Sequence, residues 1–245
     1  MKQTKIIMGM PITVEIVDNS ATDKSLQQVF NYFRQIDKIF STYKKDSEIS
    51  KINRREIDKK DYTLEVREVL TLSEKTKKQT NGYFNIWHNG YLDPSGLVKG
   101  LAIWNASKNL KKYGFKNFYI DAGGDVQVYG LNSQNKKWRV GIKNPFNQRE
   151  IIKVLSLTNQ AIATSGTYIR GEHIYNPITN VEQKEIVSLS VIAQNIYDAD
   201  RFTTAAFAMG RRGIEFISSK KNLEGYMIDK DGTATFTNGF EKFVC

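Results

Sequence analysis

FKNFYIDAGGDVQVYG, residues 115–130, reads as a strand, a glycine turn and a second strand. Phe118, Tyr119 and Ile120 precede the turn and Val126, Val128 and Tyr129 follow it, aromatic and β-branched residues that suit a pleated, buried surface. Gly123 and Gly124 let the backbone reverse tightly and let another molecule come close. Upstream, Leu101, Ala102, Ala106 and Leu110 form a helical stripe that Gly114 ends as a C-cap. Farther up, Leu26, Val29, Phe30, Phe33, Ile36, Ile39 and Phe40 recur at three- and four-residue spacing and predict a helix from about Lys24 to Phe40, capped by Asp23. MPITVEIV reads as the first strand, STYKKDSEISKIN as a polar break, and Leu64 to Gln79 as a second helix. Downstream, short runs rich in Val, Ile, Thr and Tyr between Trp138 and Ile192 read as strands. An alanine-rich helix follows from Asp200 to Met209, and GYMIDKDGTATFTNGF reads as a hairpin turning at DG. Without regular βα alternation the fold class is α+β, a single domain over 1–245 with a mixed, mainly antiparallel sheet and packed helices.

The composition narrows the chemistry. Hydrophobic residues at 40% and charged residues at 25% are those of an ordinary globular chain. Lys plus Arg number 36 against 26 Asp plus Glu, and the net charge of +10 favours anionic partners, unless it is only a lysine-rich solvated surface. No basic run interleaves with aromatics, so nucleic acid is not an expected partner. Cys245 is the only cysteine, which leaves no disulfide framework, thiolate cluster or Cys nucleophile. No apolar run approaches the roughly 20 residues of a membrane helix. Lys2 and Lys5 before an apolar stretch faintly resemble a leader, but Glu15 follows and no small-residue cleavage site appears. The expected location is the cytoplasm, unless the sequence lacks an export signal.

Four stretches carry candidate chemistry. DPSGLVKG, residues 93–100, offers Asp93 or Ser95 as a cap, Pro94 near the first turn, Gly96 for close approach and Lys99 as a point charge. A helix start of this kind attracts anions, although a capped surface helix would read the same. In DAGGD, Asp121 or Asp125 can meet a sugar hydroxyl or a cation beside Gly123 and Gly124, or the glycines simply turn the chain. ATSGTY, residues 163–168, brings Thr164 and Ser165 as phosphate contacts or as a strand end. In YDADRFTTAAFAMG, Asp200 and Thr204 stand at i and i+4, so both oxygens face one way and suit Mg2+, unless Asp200 caps the helix and Thr204 packs. Of the two histidines, His173 in EHIYNPITN is a candidate general base and His88 reads as structural.

Taken in order, MGM, FSTYKKDSEISKIN, NGYFN, DPSGLVKG, DAGGD, ATSG, HIYNP and DADRFTTAAFAMG resemble the FAD:protein FMN transferases, the ApbE family, from about Met8 to Phe240. The resemblance implies an ApbE-like, T-fold-related domain. It implies an enzyme that cleaves FAD with Mg2+, attaches FMN through a phosphoester to Thr or Ser of an acceptor flavoprotein, and releases AMP. By position, Met8, Tyr43, Tyr83, Phe84, Asp93, Lys99 and Ile174 match places that hold FAD. The Gly96 carbonyl, Asp200 and Thr204 match the Mg2+ ligands, and His173 matches the histidine given the proton-transfer role. Two alternatives accompany this reading: hydrolysis of FAD to FMN and AMP, and a non-catalytic FAD carrier. The sequence departs from the family pattern at Asn85 and Asn176, amides where acids are usual, at Trp104, where many members have Asp, and in a shorter segment between NGYFN and DPSG. DGTAT near the end is the final hairpin's turn rather than a self-modification site.

Overall fold

The structure, a computed structural model, describes residues 1–167 and 175–245. It begins with a hairpin, β1 (Lys2–Ile7) and β2 (Met10–Ile16), reversing at Met8 and Gly9 with φ of 57° and 71°. MPITVEIV is therefore the second strand, not the first. The more polar β1 is the sheet edge, and Lys2 and Lys5 lie along it, where lysine discourages further strand pairing. Helix α1 (Asp23–Phe40) is capped by Thr22, whose side chain accepts from the Ser25 N–H, so Asp23 is the first helical residue and not the cap. The polar break contains a short helix, α2 (Glu48–Asn53), started by the Ser47 side chain accepting from Ser50. Then come α3 (Leu64–Gln79), the small hairpin β3 (Trp87–His88) and β4 (Tyr91–Leu92), and α4 (Ser95–Lys112), which ends where Gly114 takes φ 89°.

The 115–130 stretch forms β5 (Phe118–Ala122) and β6 (Asp125–Tyr129), paired antiparallel across the glycine turn. A separate hairpin, β7 (Trp138–Lys143) and β8 (Ile151–Leu157), precedes β9 (Ala161–Gly166). After the short pair β10 (Tyr175–Asn176) and β11 (Val181–Glu182) come β12 (Ile186–Ala193), α5 (Ile196–Ala208), α6 (Gly213–Ser218), β13 (Glu224–Asp229) and β14 (Ala234–Phe236). Eight strands make one sheet in the order β1-β2-β5-β6-β9-β12-β13-β14, and every neighbouring pair is antiparallel. The expected α+β class with a mainly antiparallel sheet is what the chain adopts.

Both faces of this sheet are covered. On one, Ile12, Val14, Phe118, Ile120, Ala163 and Val191 pack against the helices. On the other, Val126, Val128, Ile162, Ile192 and Tyr226 pack against Trp138, Val140 and Leu155 of the β7–β8 hairpin and against Phe240. Strand β6 is the exception to an apolar helix side, because the residues it turns toward the helices are Asp125 and Gln127, both almost wholly buried. Gln127 is fully used: its Oε1 accepts from the Ile196 N–H at 2.9 Å, and its Nε2 donates to the Gln160 carbonyl at 3.1 Å. It thereby fixes the start of α5 over the sheet. Asp125 is the inward group left to meet a functional side chain.

Candidate functional site

Helix α5 begins one turn before the sequence suggested. Asn195 caps it, accepting from the Asp198 N–H at 2.9 Å, so Asp200 lies inside the helix and is released from capping. The residue is 4% exposed. Oδ2 accepts from the Gly100 backbone N–H of α4 at 2.7 Å. The helices can approach this closely because position 100 is glycine: a Cβ there would lie 2.6 Å from Asp200 Cβ and 2.9 Å from the Ile196 carbonyl oxygen. In a regular α-helix the Gly100 amide would serve the Gly96 carbonyl. A carbonyl oxygen has two lone pairs, so the Gly96 oxygen can accept within the helix and still meet another partner. Thr204, one turn beyond Asp200, stands against Gly96, where a Cβ would be 3.1 Å from Thr204 Cγ2 and 3.5 Å from Oγ1. The three expected metal positions are thus brought together.

Lys99 reaches into the same place. Its Nζ is 2.6 Å from Asp125 Oδ2 and 3.9 Å from Asp200 Oδ1. Asp125 is held from the other side by the Thr164 N–H, which donates to Oδ1 at 3.1 Å. Burial raises the Asp200 carboxyl well above its ordinary range. Lys99 opposes the rise, Asp125 adds to it, and the Gly100 N–H opposes it. A buried carboxylate of this kind favours a cation that restores the lost hydration. The oxygen donors around it (carboxylate, hydroxyl, carbonyl) are those a hard divalent ion prefers. The residues therefore fit Mg2+.

This cluster is the inner end of a cleft of about 1500 Å³. Beside it, the β5–β6 turn presents Gly123 and Gly124 at φ 62° and 97°, with open space where a Gly124 side chain would be. Asp121 braces the turn by accepting from the Gly124 N–H at 2.8 Å, and the Tyr119 hydroxyl donates to its other oxygen at 3.2 Å. Burial pushes both the Asp121 carboxyl and the Tyr119 hydroxyl upward. Thr164 and Ser165 line the cleft from β9, although the Thr164 hydroxyl is engaged with Ser190 at 2.8 Å.

The outer end is more open. Tyr43 lines it at 97% exposure, while Phe84 is buried beneath Gly96. The Tyr83 hydroxyl accepts from Arg212 at 2.9 Å. Asp93 Oδ1 accepts from the Ser95 N–H at 2.9 Å, so Asp93 serves the start of α4, whose N-cap position is Pro94. Met8 packs against the helix-side core, and its neighbours Gly9 and Met10 line the cleft instead. His173 and Ile174 lie outside the described residues. His88 also lines the cleft, its ring 3.8 Å from that of Tyr175.

The two amides that depart from the family pattern act as acceptors in turns. Asn85 Oδ1 accepts from the Trp87 N–H at 3.1 Å, and Asn176 Oδ1 from Ile178 at 2.9 Å, bonds that need an oxygen but no charge. Trp104 packs partly buried against the helix-side core with Lys111 over its ring.

Two contributions escaped the sequence reading, and a third, Asp125, stood there only as an alternative to Asp121. Asn53 clamps β4 just before Asp93, taking the Leu92 N–H at 2.7 Å and donating to the Leu92 carbonyl at 3.0 Å. Arg139 and Lys143 line the cleft from β7, a strand of the opposite sheet face. The alternation in WRVGIK puts those two on one side of their strand, but nothing local says what that side faces.

Comparison with known proteins gives a consistent result. The model of the ApbE family matches residues 8–89 and 87–227. A FAD:protein FMN transferase of Haemophilus influenzae is 22% identical over 317 aligned positions, taking in 99% of this chain and 92% of that protein. One from Buchnera aphidicola subsp. Baizongia pistaciae is 34% identical over 164 positions, 61% of this chain and 48%, about half, of the relative. The solved flavin transferase ApbE of Vibrio cholerae matches with a TM-score of 0.85 at 21% identity, covering 99% of this chain and 98% of that one. At that identity the structural likeness shows the shared fold. Among the described residues no helix is long and apolar enough to cross a membrane.

Proposed function

The chain belongs to the ApbE family, and we propose that it is a Mg2+-dependent flavin transferase: it cleaves FAD, attaches FMN through a phosphoester to a Thr or Ser hydroxyl of an acceptor flavoprotein, and releases AMP. One observation carries the reading, the convergence of Gly96, Asp200 and Thr204 on the point reached by Lys99 at the closed end of a large cleft.

Asp200, the Thr204 hydroxyl and the Gly96 carbonyl would hold Mg2+, which when bound polarises the diphosphate and stabilises the leaving phosphate. Lys99 supplies a positive charge to the same diphosphate, and the glycine turn at Gly123 and Gly124 lets the nucleotide approach the backbone. Asp121 braces that turn, and Thr164 and Ser165 border it. Tyr43 and Tyr83 offer aromatic surface toward the mouth, where the flavin ring fits, Phe84 underlies Gly96 and is assigned to FAD by family position, and Asp93 orders the helix start between the two ends. Met8 and Ile174 are assigned to FAD by family position alone. The acceptor oxygen forms its bond to the FMN phosphorus as the bond from that phosphorus to the bridging oxygen breaks. The hydroxyl proton passes to His173, again by family position, and AMP carries away the bridging oxygen. Positioning and charge supply most of the rate.

The test mixes the purified protein with FAD, Mg2+ and an acceptor domain, and reads the acceptor's intact mass. A gain equal to one FMN phosphoester, lost with EDTA and in Asp200→Ala, is the expected result. FMN and AMP released with an unmodified acceptor would replace transfer by hydrolysis, and FAD bound without turnover would leave a carrier.

A further inference from the structure

Three charges share the inner end of the cleft, and only one of them can move far. Asp200 is fixed by the Gly100 N–H at 2.7 Å, and Asp125 by the Thr164 N–H at 3.1 Å from its place on β6. Their side chains are 5% and 2% exposed, against 21% for Lys99. A lysine ammonium on a flexible four-carbon stem goes where its partner holds it. Here the nearer partner is Asp125 at 2.6 Å, while Asp200 lies at 3.9 Å. At such separations, in a largely buried place, the attraction between unit charges exceeds thermal energy several-fold.

We propose that Asp125 is a positioning residue that keeps Lys99 off Asp200, so that the Asp200 carboxylate stays available to the metal. The inference rests on the metal reading above. Without the charge on Asp125, the ammonium swings to the other buried carboxylate and competes there with Mg2+. With Asp125 in place, two carboxylates and one ammonium leave a net charge of about −1, which a divalent ion turns to about +1 next to an anionic diphosphate. Asp125 thus acts through Lys99 and needs no contact with ion or substrate. Its burial behind Lys99 explains why a carboxylate so close to the site does not line the cleft.

A double-mutant cycle separates action through Lys99 from direct attraction of the ion. Mg2+ binding to the full chain is measured by calorimetry, without FAD, for wild type, D125N, K99M and the double variant. Asparagine keeps the acceptor for the Thr164 N–H and removes only the charge. D125N is expected to weaken Mg2+ binding by roughly tenfold in the wild-type background, within the range of couplings between contacting residues, and by less than about threefold in K99M. An equal cost in both backgrounds, or none in the first, overturns the inference while leaving the metal reading intact. Wild type that takes up no Mg2+ overturns the metal reading and the inference with it. Should D125N fail to fold, D125S takes its place in the same cycle with the same expectations. In the K99M background the double variant removes the ion pair whole rather than stranding one partner, and a cost above about threefold there overturns the inference.

Discussion

The two ends of the cleft are built by opposite means. At the inner end both carboxylates are held by backbone: Gly100 and Thr164 amides grip Asp200 and Asp125, and the Gln127 side chain pins the helix that carries Asp200. At the outer end Tyr43 is almost fully exposed, and Tyr83 is tied to the exposed Arg212 by a single hydrogen bond. Charge needs exact placement, because electrostatic interactions change steeply with distance and with water access. An aromatic ring meeting a flat heterocycle tolerates sliding and loses little by waiting in solvent. The fold therefore spends its rigid elements on the phosphate end and leaves the flavin end to side chains on loops.

If that contrast is right, damage should grade from inner to outer. Asp200→Ala is expected to lower transfer by about a thousandfold or more, since a catalytic metal contributes several kcal/mol; single-turnover rates read by acceptor mass measure it. Gly100→Ala should come next, because its methyl would meet Asp200 and the Ile196 carbonyl at under 3 Å. A loss of about 1–3 kcal/mol in denaturant unfolding is expected, with weaker Mg2+ binding. A melt identical to wild type would show that the helices can spread apart.

The inner end should also answer to pH. Burial pushes Asp200 up from 3.8 to about 7, so the native metal-free protein holds that proton more tightly than the unfolded chain does. Its contribution to stability is present below the unfolded value and is lost as pH rises through the native one. Unfolding in EDTA should thus show stability declining between about pH 4 and about pH 7 from this group. Added Mg2+ should reverse the slope, because the ion takes the charged form. A slope unchanged by Mg2+ would place the ion elsewhere. The smallest effect belongs to the mouth: Tyr43→Ala should raise KM for FAD by about two- to tenfold, in line with the worth of one aromatic contact, and leave the melting temperature unchanged.

What the sequence revealed follows the same division between local and distant causes. The α3 helix, the β5–β6 turn and the final hairpin were legible because a stripe, a glycine pair and a DG turn act within a few residues. Helix α2 was not, since six residues with Ile49 and Ile52 buried are too short to show a period. NIYDAD holds three residues able to cap a helix, and Asn195 takes the position, which is why the expected helix starts one turn late, at Asp200. Asp121 and Asp125 could not be told apart for a more general reason. Both faces of the sheet are covered, so alternation along β6 marks two buried sides and gives no hint which one faces Lys99. Arg139 and Lys143 depend on where a separate hairpin folds back, which no local pattern encodes.

The Gly100 amide has a use beyond geometry. It is a proton shared between two helices, given to the same oxygen pair that the ion would claim, and set in a contact too tight for a methyl group. Its exchange with solvent should be slow, and its resonance should shift when Asp200 changes its partner. One glycine signal in an amide spectrum could therefore report the occupancy of the site in real time, with no flavin, no acceptor and no turnover.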